Sequence, residues 1–359
     1  MQPGRPLPKS RPTGKPGTDF GTPAISNQAR VIDKAPHGSD RPGIGTVWTK
    51  SLNRATIAAW RGAAGSSTTR SLLSDHFHPR KPYSRLIAAT DGSPLGGIAL
   101  VGAAQLATRT GAELYVFHAA GDLDGEAAVT RQVKELLAGV SYQLEIRNLI
   151  AGTPMSPSRL VDEFADEVGD SLVVVGTHGR SGITAALLGS TTAELVSRAG
   201  QATMVYGPRA ESPAQIAGVL ACVDGSEFSE LSVEEAARWA LALGIPIRIV
   251  QVVPPGLPAY VTAFEETYVQ NLSRALEGPG RGPVEWEVLH SSSPARAILD
   301  TFGTDPANML VMATHGRVGF KRVTMGSVAS EVVRGARGPS ALIRPQEPSG
   351  ADRAAGSPR

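Results

Sequence analysis

A glycine-bearing loop that occurs twice, with the same internal spacing, constrains the fold of this chain more than any other sequence feature. The first copy runs from Gly176 to Ser190 and the second from Ala313 to Ser327, so that corresponding residues lie 137 positions apart. Each copy follows a short apolar run and precedes a pattern typical of a helix. Because both copies keep the same spacing, they indicate a duplicated domain rather than one isolated loop.

The chemistry of the loop suits a phosphate group. Glycine permits positive φ angles and lets backbone N–H groups approach a ligand closely. A helix start adds unpaired N–H donors and the positive end of the helix dipole. Arg180 supplies a charged fork, and Ser190 and Thr191 supply hydroxyls. Thr191 also has a purely structural interpretation, because Thr191-Thr192-Ala193-Glu194 matches a capping box.

A second repeated motif lies at the end of the first strand predicted in each half. It reads Asp91-Gly92-Ser93 in the first half and Asp224-Gly225-Ser226 in the second. In an open α/β sheet, ligands bind outside the carboxyl ends of the strands. A carboxylate there accepts hydrogen bonds from a sugar hydroxyl or an exocyclic amine. Alternatively, both aspartates form Asx-turns that begin the following helices.

The pattern of apolar runs divides the chain into two similar units. Strands alternate with helices over 83–206 and again over 216–345, which predicts parallel sheets with right-handed crossovers. Residues 207–215 contain two prolines and are predicted to be a linker. Residues 1–82 and 346–359 are rich in Pro, Gly and Arg, and we expect both segments to be disordered.

Charge is distributed unevenly along the chain. Residues 1–82 carry 13 Lys/Arg and four Asp/Glu, whereas the rest of the chain has a net charge of −7. The mildly acidic repeats therefore do not suggest a nucleic-acid-binding surface. Residues 47–61 fit either a basic amphipathic helix, for a membrane surface or a partner, or a transient helix.

Other sequence features exclude several classes of protein and site. The single cysteine, Cys222, permits no intrachain disulfide and fits a reducing compartment, so we expect a cytoplasmic location. We expect no transmembrane helix, because no apolar run reaches about 18 residues, and no secretory signal, because the N-terminus lacks an apolar h-region. No P-loop, no metal-ligand spacing and no nucleophile with a partner base is present, so no catalytic or metal-binding residue is predicted.

Together the motifs resemble the universal stress protein family. Nucleotide-binding members of that family carry Gly-x2-Gly-x9-Gly-Ser/Thr after the fourth strand. Gly176, Gly179, Gly189 and Ser190 match this pattern in full. The second copy matches except at its first position, where Ala313 replaces glycine.

The resemblance implies a fold and an assembly. The expected fold is α/β, with two tandem Rossmann-like domains of the adenine nucleotide alpha hydrolase type. Each domain would hold a five-stranded parallel sheet in the order 3-2-1-4-5, with helices on both faces. Family domains pair through their last strands, so the two halves would form a pseudo-dimer within the chain, or pair with a second copy as a homodimer.

The resemblance also implies ATP or a related adenine nucleotide as ligand, with Mg²⁺ as a companion ion. Asp91 and Asp224 would approach the adenosine, Ala119 and Val252 would line the adenine just past the second strand, and the loop residues would hold the phosphates. The residues expected to bind nucleotide are Asp91, Gly92, Ala119, Gly176, Gly179, Arg180, Gly189, Ser190, Thr191, Asp224, Gly225, Val252, His315, Gly316, Arg317, Gly326 and Ser327.

The missing glycine makes the two predicted sites unequal. A methyl group at Ala313 would crowd the backbone near the nucleotide or prevent a positive φ. We therefore expect the first site to bind more tightly than the second.

Three functions follow from these expectations. The first is a stress protein that binds ATP as a regulatory ligand and hydrolyses it slowly, if at all. The second is a scaffold that binds protein partners and no nucleotide. The third is an ATP-consuming enzyme of a related α/β fold.

Overall fold

The computed structural model describes most of both predicted halves. The described residues are 30–31, 82–121, 123–149, 155–177, 189–197, 202–212, 215–277, 284–314 and 325–344. The helix considered for residues 47–61 and the tail at 346–359 lie outside them. Of the N-terminal segment expected to be disordered, the described part includes one short strand, β1 (Arg30–Val31), and Pro82.

The first half alternates strands and helices. Its elements are β2 (Arg85–Ala89), α1 (Pro94–Thr110), β3 (Glu113–Ala120), α2 (Leu123–Leu136), β4 (Gln143–Asn148), α3 (Pro157–Val168), β5 (Ser171–Gly176), α4 (Ser190–Val196) and β6 (Ala202–Tyr206). The strands lie in the order β4-β3-β2-β5-β6 and all pair in parallel.

The second half repeats this arrangement. Its elements are β7 (Gly218–Val223), α5 (Glu227–Leu243), β8 (Ile247–Val253), α6 (Ala259–Leu276), β9 (Val284–His290), α7 (Pro294–Phe302), β10 (Asn308–Ala313), α8 (Ser327–Gly335) and β11 (Ser340–Ile343). The order β9-β8-β7-β10-β11 is again 3-2-1-4-5, so the predicted fold class is confirmed.

Apolar strand residues alternate between two cores. Leu86 and Ala88 point toward α1 and α2, while Ile87 and Ala89 point toward α3 and α4. The equivalent helices of the second half join the same two clusters. Helices therefore cover both faces of the sheet, and each core continues through both halves.

The halves meet through their last strands. β6 and β11 pair antiparallel, with Met204 opposite Ala341, which joins the two parallel sheets into one. Because of this reversal, the carboxyl ends of the strands in one half lie at the same sheet edge as the amino ends in the other. The two predicted nucleotide sites consequently lie on opposite edges of the joined sheet.

Polar contacts reinforce the junction on the face covered by α1 and α5. The Arg109 guanidinium donates to the Ile216 carbonyl at 2.6 Å and to the Leu243 carbonyl at 2.9 Å. The Tyr83 hydroxyl donates to Glu235 at 3.1 Å, and the Arg238 guanidinium lies 3.9 Å from the centre of the Tyr83 ring. Burial and the adjacent Glu235 carboxylate raise the pKa of Tyr83. These contacts link side chains of one half to the other half over a buried surface.

Two further observations complete the fold. The strand β1 adds in parallel to the outer edge of β9, with Val31 opposite His290. In the part of the chain that the structure describes, every helix is too short or too polar to cross a lipid bilayer.

Candidate functional site

The strand order creates a topological switch point in each half. In the first half, β2 lies between β3 and β5. The chain runs from β2 to β3 on one side, and on the other side β2 pairs with β5, with Ala89 opposite Val175. In the second half β7 and β10 stand in the same relation. Crevices at such points are the usual ligand sites of open α/β sheets. The Asp-Gly-Ser motifs and the repeated loops both start at these strand ends.

Hydrogen bonds within the turn after β2 connect its residues to one another. One carboxylate oxygen of Asp91 accepts the Ser93 N–H at 3.0 Å, and the Ser93 hydroxyl accepts the Gly96 N–H at 3.1 Å and caps α1. Gly92 has a φ of 80°, which a residue with a side chain rarely adopts. Asp91 thus forms the Asx-turn, and the turn holds its carboxylate at the switch point.

The turn after β7 has the same construction. Asp224 accepts the N–H of Ser226 at 3.0 Å and its hydroxyl at 2.6 Å, and Gly225 has a φ of 81°. Ser229, at the position of Gly96, donates its hydroxyl to the Ser226 carbonyl at 2.7 Å. The structural interpretation of the aspartates therefore holds in both halves, and it fixes where a ligand would meet them.

In each repeated loop, a main-chain hydrogen bond joins the two ends of the loop. The Gly189 N–H donates to the Thr177 carbonyl at 2.6 Å, and the Gly326 N–H donates to the Thr314 carbonyl at 3.0 Å. The Thr177 N–H in turn donates to the Tyr206 carbonyl at 3.0 Å. The N–H groups of Gly189 and Gly326 are therefore already used in hydrogen bonds within the protein. The exposed residues Ser190 and Ser327, which follow them, present hydroxyls at the helix starts.

The capping box considered for Thr191 does not form. Helix α4 begins at Ser190 with Gly189 as its N-cap and no side-chain capping bond, so Thr191 already lies in the first turn. Thr192 donates its hydroxyl to the Gly176 carbonyl at 2.8 Å. Glu194 accepts hydrogen bonds from Ser156 and Ser158 instead of reaching back to the helix start. Thr192 thereby connects α4 to the end of β5.

Gly176 and Ala313 differ for a packing reason. A Cβ at Gly176 would lie 3.1 Å from the main chain and side chain of Leu95 at the start of α1. Gly176 is absent from the described glycines with positive φ, so backbone conformation does not require glycine there. The second half has Ala313 as the last residue of β10, in regular strand structure. The absent glycine thus reflects how closely the neighbouring helix approaches, rather than a special φ.

Ala119 and Val252 occupy corresponding positions near the ends of the second strands. Both lie inside their strands rather than just past them, because β3 continues to Ala120 and β8 to Val253. Each is partly buried against the core that contains α3 and α7. The carboxyl ends of β3 and β8, where these two residues lie, are next to the strands β2 and β7 that lead into the Asp-Gly-Ser turns.

Buried polar residues next to these positions were missed from sequence. His118 is buried in β3, and its Nδ1 lies 2.9 Å from the Thr90 carbonyl. At the corresponding place in β8, the buried Gln251 donates to Glu265 at 2.6 Å. A polar residue inside an otherwise apolar strand, one position before Ala119 or Val252, was the available signal.

The second site has an acidic surrounding that the first lacks. Glu230 on α5 and Glu265 on α6 are both buried, whereas the first half has Gly97 at the position of Glu230. Burial, together with the negative charge of Glu230, raises the pKa of Tyr268. The charges of Glu230 and Asp224 both act on the Tyr268 hydroxyl, so an ionised Glu230 would make the second site less favourable for an anionic ligand.

Five of the predicted nucleotide-binding residues lie outside the described part of the chain. They are Gly179, Arg180, His315, Gly316 and Arg317. The structure brings the other predicted residues of each half to one sheet edge, in the two turns and strand ends of that half.

Comparison with known proteins decides the family. The model of the universal stress protein family matches residues 82–207 and, separately, residues 218–344, which together exceed half of the chain. The chain belongs to the universal stress protein family. It is 30% identical over 235 residues to universal stress protein Rv2005c of Mycobacterium tuberculosis strain H37Rv, covering 62% of this chain and 77% of that protein.

Solved structures share the fold of this chain. A universal stress protein from Archaeoglobus fulgidus DSM 4304 superimposes with a TM-score of 0.52 at 16% identity, over 76% of this chain and 99% of the other. A functionally unknown protein, PA1789 from Pseudomonas aeruginosa PAO1, superimposes with a TM-score of 0.54 at 16% identity, over 73% and 93% of the two chains. At this identity the superpositions establish the fold of this universal stress protein and nothing further.

Proposed function

We propose that this universal stress protein binds an adenine nucleotide, ATP or a relative, as a regulatory ligand in a stress response. The observation that supports the proposal most strongly is the juxtaposition at the first switch point. There the hydrogen-bonded Asp91 turn and the base of the Gly176–Ser190 loop occupy the ends of adjacent strands. Strand ends in a sheet lie about 4.8 Å apart, so one ligand spans both.

The Asp91 turn suits the nucleoside end of the ligand. Carboxylate oxygens accept hydrogen bonds, so at the switch point Asp91 would meet a ribose hydroxyl or an amine of the ligand. Because Gly92 and the Ser93 cap fix the turn, the carboxylate needs no reordering on binding, which lowers the entropic cost.

The phosphate end of the ligand would meet the loop. Gly189 acts by closing the loop base, since its N–H already donates to Thr177. Contact to phosphate then falls to the Ser190 hydroxyl and to Gly179 and Arg180 in the loop. Arg180 offers a guanidinium whose geometry matches phosphate oxygens, and a Mg²⁺ ion bound with ATP would share their charge.

We propose that the first half binds nucleotide more tightly than the second, because of charge rather than because of Ala313. Buried Glu230 and Glu265 lie on α5 and α6, the helices that follow the first and second strands of that half, and as carboxylates they would oppose a polyphosphate. A cytoplasmic location, where ATP is abundant and thiols stay reduced, completes the proposal.

The proposal is tested with Gly189→Asp and Gly189→Asn in the full chain. Gly189 is an N-cap with φ −55°, a conformation that both Asp and Asn adopt readily, so both variants should fold. Asp adds a negative charge next to the phosphates, whereas Asn has the same shape without the charge. We expect calorimetric ATP affinity to fall at least tenfold in the Asp variant, beyond any change in the Asn variant.

The pair Gly326→Asp and Gly326→Asn serves as the matched control in the second half. It should leave the tighter binding event unchanged. Equal ATP affinity in Gly189→Asp and Gly189→Asn would overturn the assigned loop. Absence of adenine nucleotide binding to the parent protein at millimolar concentrations would favour the scaffold function instead.

A further inference from the structure

A cavity of about 580 Å³ lies where the linker between the halves meets the second half. Its lining residues are Arg209, Arg296, Leu299, Asp300, Gly303, Thr304, Gly335 and Arg337. None of them belongs to the nucleotide site proposed above. The volume falls within the range of small-molecule sites, which is roughly 300–1,000 Å³.

The walls of this arginine cleft come from three separate segments that the fold holds in place. Arg209 follows β6 in the linker, Arg296 lies on α7, and Arg337 follows α8. Gly207 fixes the linker against α8, because a Cβ there would lie 1.9 Å from the Val333 carbonyl oxygen. The Glu211 N–H also donates to the Arg337 carbonyl at 2.8 Å. These contacts hold the linker main chain against α8 at one wall of the cleft.

Two glycines line the cleft, and they differ in how closely they are packed. Gly335 approaches Leu299 so closely that a Cβ would lie 2.4 Å from a methyl group of that side chain. Gly303 has a φ of 75°, and a Cβ added there would meet no described atom within 4 Å, so it would project into open space. The exposed Thr304 adds a hydroxyl at the rim.

Three guanidinium groups dominate the chemistry of the cleft. Arg296 pairs with Asp300 at 2.9 Å, and Arg337 pairs with Glu211. Within the described residues Arg209 makes no ion pair, so the group as a whole carries one uncompensated positive charge. Each of these two guanidinium groups retains further N–H donors beside its ion pair, because a guanidinium has five.

We propose that the arginine cleft binds a small phosphate-bearing metabolite that is not a nucleotide. Guanidinium forks match phosphate oxygens in geometry, and Arg209 supplies the charge that the two ion pairs do not cancel. The cavity exceeds a bare phosphate ion, which leaves room for a sugar-sized body against Leu299 and Thr304. A carboxylate ligand shares part of this chemistry, and the experiment separates the two.

The experiment titrates the full chain with glucose 6-phosphate, with inorganic phosphate and with citrate, by calorimetry. Three variants are compared with the parent: Arg209→Ala, Arg209→Lys and Arg248→Ala. Arg248 is the matched control, because it is an exposed arginine of the same half that pairs with Glu285 away from the cleft. Arg209 has no ion pair among the described residues, so its replacement should leave the fold intact.

We expect saturable binding of glucose 6-phosphate that weakens about tenfold to hundredfold in Arg209→Ala, the loss expected for one charged hydrogen-bonding partner. Arg209→Lys should restore part of the affinity, and Arg248→Ala should match the parent. Tighter binding of citrate than of glucose 6-phosphate would overturn the phosphate assignment. Equal affinities in Arg209→Ala and Arg248→Ala would overturn the site. The absence of saturable binding of every probe at millimolar concentrations would overturn it as well.

Nucleotide binding separates this inference from the proposed function. Gly189→Asp should leave glucose 6-phosphate affinity unchanged, and Arg209→Ala should leave ATP affinity unchanged. Parallel loss of both ligands in either variant would show a shared site and contradict the assignment of the arginine cleft.

Discussion

The two halves of the molecule share a strand order, a hydrogen-bonded Asp-Gly-Ser turn and a closed loop base, yet they differ in the helix that follows the first strand. Helices α1 and α5 have the same length, so their residues correspond one to one. α1 carries glycine at positions 97 and 102, where α5 carries Glu230 and Glu235. The first half uses these glycines to bring other groups close to the helix, whereas the second half uses the carboxylates in buried polar contacts.

This comparison teaches that duplicated domains keep the main-chain features that build a site while their side-chain surroundings diverge. The loop closures at Gly189 and Gly326 depend on main-chain atoms and occur in both halves. The contact of Glu235 with Tyr83 exists once, because it joins the second half to the start of the first. The substitutions below test these differences between the halves and the close contacts on which they depend.

Gly207→Ala should have the largest effect. Its Cβ would lie 1.9 Å from the Val333 carbonyl oxygen, a main-chain atom that cannot turn aside. We expect the free energy of unfolding to fall by about 3 kcal/mol, at the upper end for overpacked sites. The corresponding residue after β11 is Arg344, which already carries a side chain, and Arg344→Ala should cost less than about 1 kcal/mol.

Urea unfolding of both variants measures this difference. If Gly207→Ala were as stable as Arg344→Ala, the close approach of the linker to α8 would be wrong. The linker wall of the arginine cleft would then lose its support as well.

Gly102→Ala should lower stability by about 2 kcal/mol, against the usual helix preference for alanine. A Cβ at position 102 would lie 1.9 Å from the hydroxyl oxygen of Tyr206 and 2.5 Å from the ring carbon that carries it. Gly97→Ala is the matched control in the same helix. Its Cβ would meet only the ends of the flexible Leu136 and Gln132 side chains, at 3.2 and 3.4 Å.

The control should therefore stabilise the protein by about 0.5 kcal/mol, since alanine exceeds glycine in helix propensity. Thermal unfolding of the two variants gives the sign of each change. A gain in stability for Gly102→Ala would mean that Tyr206 does not pack against α1 as described.

Sequence reasoning predicted the fold correctly, because the fold depends on local patterns, whereas the nucleotide site at the strand ends stays a prediction. Apolar runs, turn glycines and the repeated spacing determine strand order and strand ends. The alternative of a capping box at Thr191 was wrong, because the start of α4 depends on the loop closure between Gly189 and Thr177, which involves only main-chain atoms. A side-chain pattern carries no trace of such a bond.

Contacts between distant segments were equally beyond the sequence. Tyr206 and Gly102 are far apart in the chain, and each is unremarkable alone. The arginines at 209, 296 and 337 form no motif, since three separate elements bring them to one cleft. Their convergence follows from the antiparallel pairing of β6 with β11, and only the fold reveals it.

Gly176→Ala and Ala313→Gly exchange the residues at which the two loops differ. Gly176→Ala should cost about 1 kcal/mol, because its Cβ would press on the Leu95 main chain at 3.1 Å. Ala313→Gly should cost a similar amount or less through the entropy of the unfolded chain. ATP titration of Ala313→Gly should show no gain at the second site, since Glu230 and Glu265 remain. A tenfold gain would instead make the methyl group of Ala313 the cause of the inequality.

Replacing a buried tyrosine should have the smallest effect, a change in how the free energy of unfolding falls at alkaline pH. Burial raises the pKa of Tyr206 in the first half, and burial with Glu230 raises that of Tyr268 in the second. Above the ordinary tyrosine pKa of about 10 the unfolded chain releases a phenolic proton that the native protein keeps. The unfolded state then binds fewer protons, so the free energy of unfolding falls as pH rises, and full stability is present only below that pKa.

Tyr206→Phe removes one such contribution and should retain about 0.8 kcal/mol more of its neutral-pH stability than the parent at about pH 10.5. Tyr268→Phe should act in the same direction, and unchanged pH profiles in both variants would mean that these hydroxyls titrate alike in the folded and unfolded chains.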